Sequence, residues 1–65
     1  MKNKFDDALF RLERAADSAN YPIDSDEDYI LACQLITDAQ YGNIELTSID
    51  EAVIRSTINE IYRKL

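Results

Sequence analysis

Histidine and tryptophan are absent from this 65-residue chain, and cysteine, glycine and proline each occur once. Each scarcity removes a class of answer. Without histidine, the usual proton shuttle at neutral pH is missing, and so is the commonest nitrogen ligand for zinc. With Cys33 alone, no internal disulfide can form, and the plain reading of a single unpaired thiol is a reducing, cytoplasmic setting. No apolar stretch approaches the length of a bilayer span, and the opening MKNKFDD lacks a signal-peptide core, so no membrane association is expected.

Positive charge is missing from the middle of the chain. Between Arg14 and Arg55 there is no lysine or arginine, while the same stretch holds nine acids: Asp17, Asp24, Asp26, Glu27, Asp28, Asp38, Glu45, Asp50 and Glu51. All seven basic residues and the other four acids lie in the flanks, which leaves a net charge of -6. A surface of that sign repels phosphate backbones, so direct nucleic-acid binding is not expected. A positively charged protein would be drawn to it.

What is present suits a small folded domain. A hydrophobic share of 46% argues against wholesale disorder. The length admits one domain, residues 1–65, with burial and ordering entropy close to balance. Lacking both a disulfide and a zinc site, such a chain is expected to gain stability from well-packed helices, from a partner or by forming a homo-oligomer.

Spacing and punctuation predict three helices. Phe5, Leu9, Leu12, Ala16 and Ala19 fall along one face of a helix over residues 3–18, with Asn3 as its N-cap and Pro22 beyond its end. A second helix over 25–41 begins in the run DSDED. Asp24 with Glu27, or Ser25 with Asp28, has capping-box character. Gly42 supplies the left-handed position after its end, with Ile44 expected to fold back on the last turn. Tyr29, Leu31, Ala32, Cys33, Leu35, Ile36 and Ala39 make so wide an apolar arc that this helix is expected to be the central one, with surface to spare. A third helix over 48–64 carries Ile54, Ile58, Ile61 and Leu65 at helical spacing. Ser48 with Glu51 and Thr47 with Asp50 are rival caps, and Glu51–Arg55 and Glu60–Lys64 are favourable pairs four apart. Connections of about five to seven residues favour antiparallel neighbours. The predicted fold is an all-α three-helix bundle.

The chemistry read from the residues is sparse. Asp24, Asp26 and Asp28 open a calcium-loop pattern, but Tyr29 stands where glycine is needed and Leu35 where a closing glutamate is needed, so no metal is expected. Cys33 sits in an apolar helical context with no base beside it, which suits a buried small side chain better than a nucleophile. Neither an enzyme nor a cofactor is expected.

The charge leads instead to binding. The expected role is a non-enzymatic interaction module that docks on a basic surface of a larger protein, a nucleic-acid-binding one among the candidates, and inhibits or modulates it. The residues carrying that expectation are Tyr21, Asp24, Asp26, Glu27, Asp28, Tyr29, Asp38, Glu45, Asp50 and Glu51. The two tyrosines would be aromatic anchors inside a charged rim, stacking an arginine-rich partner. Carboxylates three or four apart on a helix stand about 5–6 Å apart at Cβ, of the order of phosphate spacing, so mimicry of a nucleic acid is physically possible. In bulk properties the chain is similar to small inhibitors encoded by phages or mobile elements and to bacteriocin immunity proteins, with no motif behind the likeness. The alternative is a self-assembling helical protein with a structural or nucleotide-binding role, its basic ends (Lys2, Lys4, Arg63, Lys64) converging into a small cationic patch.

Overall fold

The computed structural model describes residues 4–65. The order of elements is α1 (Asp6–Ser18), a one-turn 3-10 helix (Ile23–Ser25), α2 (Glu27–Gln40) and α3 (Ser48–Lys64), with no strand among the described residues. The fold is the three-helix bundle that the spacing predicts. No helix among the described residues is long and apolar enough to cross a membrane.

Three cross-links set the directions of the helices. Gln40, at the end of α2, donates to Asp6 at the start of α1 (3.3 Å). Lys4 pairs with Glu51 in the first turn of α3 at 2.7 Å, and Lys64 in its last turn reaches Asp26 ahead of α2 at 3.2 Å. So α1 and α3 point the same way, and α2 runs against both. The basic ends therefore do not converge. Lys4 and Lys64 stand at opposite ends of α3, while Lys2 and the expected cap Asn3 lie outside the described residues.

The core is one seam. Leu12, Ile54 and Ile61 are fully buried, joined by Phe5, Ala16, Ile23, Tyr29, Ala32, Ile36 and Ile58. The molecule is only 18 Å thick along its short axis, less than two helix diameters of about 10–12 Å each, so there is no second layer to cover outer faces. The expected central helix is the wrong one. Both α1 and α2 pack against α3, which buries Ile54, Ile58 and Ile61 at strict i, i+4, i+7 spacing. Surplus apolar surface on α2 is left in solvent, with Leu31 59% and Ile30 40% exposed.

The ends of the helices decide where the polar side chains point. The start of α2 is capped by Asp26, not Asp24 or Ser25, because those two are used in the 3-10 turn. For α3 the Thr47 register wins over Ser48: the Asp50 amide donates to Thr47 Oγ1 (3.1 Å) and the Thr47 amide to Asp50 Oδ2 (3.0 Å). Behind α2, Gly42 takes φ +77°, and the amides of Gly42 and Asn43 donate to Ala39 and Asp38. That is a Schellman ending with Asn43, rather than Ile44, as the residue that turns back. A second one closes α1 and had no counterpart among the sequence expectations. Asn20 stands at φ +57°, and the Asn20 and Tyr21 amides donate to Asp17 and Ala16.

Candidate functional site

Between the two Schellman-type bends, the chain from Tyr21 to Tyr29 folds into a knot around one carboxylate. Asp26 Oδ1 accepts from the amides of Asp28 (3.0 Å) and Tyr29 (3.2 Å). Its Oδ2 accepts from the Tyr21 hydroxyl and from Lys64 Nζ at 3.2 Å. The side chain of Asp26 is only 5% exposed. Four donors converging on one buried carboxylate favour its charged form. Its pKa falls from the ordinary 3.8 to about 2, with the Tyr21 hydroxyl as the main cause. The same contacts push the Tyr21 and Lys64 pKa values up. Asp26 thus holds the turn, α2 and the end of α3 together. It is a structural residue.

A neighbouring tyrosine is also structural. Tyr29 is 6% exposed, its ring lies in the core, and its hydroxyl donates to Glu13 of α1. Burial is the main reason that its pKa rises. The expectation that Tyr29 anchors a partner is therefore corrected: the ring is covered by the protein itself. Tyr21 is half-buried.

The nine acids of the cation-free stretch divide cleanly. Asp26 is tied to Lys64, Asp50 closes the α3 cap, and Glu51 is held by Lys4 (2.7 Å) and Arg55 (3.6 Å). Those three are part-covered. Asp17, Asp24, Glu27, Asp28, Asp38 and Glu45 are exposed, and no cation is set against any of them among the described residues. The acids of the cation-free stretch therefore do not form a continuous negative face, because lysines from the two ends fold onto Glu51 and Asp26. The negative surface survives around the acidic turn.

Asp24 stands between two hollows. One, of about 540 Å³, is lined by Glu13, Asp17, Tyr21, Pro22, Ile23 and Ser25 as well as Asp24. The other, of about 320 Å³, lies against α2 and includes Asp24, Ile30, Cys33, Thr37 and Asp38. Glu13 was not among the residues expected from sequence. Its signal was present: Glu13 and Asp17 are like charges four apart on α1, an arrangement that weakens a free helix and needs an outside reason. Cys33 borders the second hollow half-covered, and burial pushes its thiol pKa up, which lowers its reactivity. No group of three potential metal ligands comes together among the described residues. No known protein family, characterised protein or solved structure matches the chain.

Proposed function

We propose that the chain is a small protein-interaction module that docks on a basic surface of a larger protein through the acidic turn and modulates that partner. One observation carries the reading. The exposed carboxylates of Asp24, Glu27 and Asp28 stand without counterions among the described residues at the start of α2, beside a hollow that adds Glu13 and Asp17. A helix start stabilises one or two carboxylates by its dipole, and Asp26 already caps this one. The charge of Asp24, Glu27 and Asp28 beyond that is surplus to folding, whereas Glu13 also accepts from the Tyr29 hydroxyl. An arginine entering the hollow would meet carboxylates on two walls, a setting that favours paired guanidinium contacts.

The test uses D24N/E27Q/D28N, which leaves Asp26 and the cap intact. Wild type and variant are used to capture partners at low and high salt, and the captured protein is then purified and titrated against both. Docking of this kind predicts binding that weakens steeply with salt and is lost in the variant. Retention of every partner by the variant would remove the acidic turn from the interaction.

A further inference from the structure

A second surface adjoins the acidic turn and differs from it in kind. The outer side of α3, opposite the buried isoleucines, carries Ile49 at 76% and Val53 at 48% exposure. With Ala52 and Ser56 they line a groove of about 430 Å³ that ends in Asp28 of α2 and Glu60 of α3. Along α3 the groove runs from Ile49 to Glu60, about 16 Å at 1.5 Å per residue. Leu31, one turn beyond Asp28 on the same side of α2, adds a further exposed apolar side chain. The small side chains at 52 and 56 let another backbone approach closely. Apolar contacts lie at one end, carboxylates at the other.

That polarity decides what fits. A second copy does not. Two α3 helices placed side by side in parallel about a two-fold axis would set Asp28 and Glu60 against the same carboxylates of the other copy. Placed antiparallel, each Ile49 would face the other copy's acidic end. Either way the surfaces mismatch. We infer that this groove receives an amphipathic helix of about three turns from a partner protein, with apolar anchors over Ile49 and Val53 and lysine or arginine over Asp28 and Glu60. Glu60 already holds Arg63 at 2.8 Å, but both side chains are more than half exposed, and such a pair contributes little and can exchange. Seating a helix by an apolar stripe, with charge setting its direction, is a general mode of helix-in-groove recognition. The inference rests on the docking proposed above and names the partner's element. Asp28 belongs to both surfaces.

The experiment uses three fluorescent, helix-stapled peptides. One carries leucines at i, i+3, i+4 and i+7 with lysines at one end; a second replaces the leucines by glutamine; a third replaces the lysines by glutamate. Anisotropy is read at low and moderate salt against wild type, I49S/V53S and D24N/E27Q. The first peptide is expected to bind wild type in preference to the other two, and I49S/V53S is expected to weaken it by about tenfold or more. D24N/E27Q is expected to leave it within about threefold. Both substituted pairs are exposed, so circular dichroism should show unchanged helicity. Equal binding of the leucine and glutamine peptides, lost in D24N/E27Q and kept in I49S/V53S, overturns the groove and leaves the acidic docking intact. Failure of both lysine peptides to bind overturns the two together. A concentration-dependent dimer of wild type in sedimentation, abolished by I49S/V53S, overturns the groove in favour of self-association.

Discussion

Asp26 shows how a residue taken for a binding group can be a fastener instead. Its two oxygens serve two backbone amides, a phenol and an ammonium group. Replacing it by alanine should cost about 1–2 kcal/mol from the lost cap, with Asp24→Ala within about 0.5 kcal/mol, both read from urea unfolding. A larger effect at Asp24 would contradict the assignment of the cap. The direction of the pH effect follows from the same contacts. Asp26 has its pKa depressed in the folded state, so its stabilisation is complete above 3.8 and is lost as pH falls toward about 2. Tyr21 and Lys64 have theirs raised, so their contribution is complete below 10.0 and is lost as pH rises beyond it. The melting temperature should therefore fall on both sides of that window. In D26A the knot's part of both falls should disappear.

At the scale of helices, the apolar periodicity was readable and the capping registers were not. Ile54, Ile58 and Ile61 are buried as their spacing predicts, because nothing else on that face competes for the core. In DSDED and LTS, several residues are chemically able to cap, and local sequence does not rank them. The choice falls to tertiary contacts: Lys64 and Tyr21 select Asp26. The same contact breaks the expected Glu60–Lys64 pair, leaving Glu60 to Arg63, whereas Glu51–Arg55 forms as expected. Ile54→Ala should cost about 2–5 kcal/mol, enough to unfold much of a domain this small, while Ile49→Ala should stay within about 0.5 kcal/mol. Thermal denaturation separates the two. Gly42→Ala is a cleaner case. No atom lies within 4 Å of where its Cβ would stand, so the loss, about 1–2 kcal/mol, should come from the positive φ alone. Asn20→Gly, at the corresponding bend after α1, should be neutral or slightly stabilising in the same assay.

For the molecule as a whole, the balance of charge is the governing quantity. Six exposed carboxylates without counterions among the described residues, in a chain of net charge -6, repel one another. Ion pairs that oppose them are exposed at the lysine side, with Lys4 57% and Lys64 46% exposed. Screening shortens from about 10 Å at 0.1 M salt to about 3 Å at 1 M. Sodium chloride should therefore raise the melting temperature while it weakens capture of a basic partner. Opposite responses to one variable separate self-repulsion from recognition. A melting temperature that falls with salt would show that the lysine bridges outweigh the repulsion.

Composition and period alone determined the helical class, the three segments, the core isoleucines of α3 and the excess of negative charge in the middle, since each depends on residue type and local spacing. Which helix would be the axis, which carboxylate would cap, which acids would be neutralised and which tyrosine would be buried were decided only in three dimensions. Those outcomes rest on contacts between residues far apart in the chain: core packing for the axis and for Tyr29, and Asp26 with Lys64 and Lys4 with Glu51 for the carboxylates. No local pattern contains them, because the long lysine side chains choose among several carboxylates only once the helices have packed.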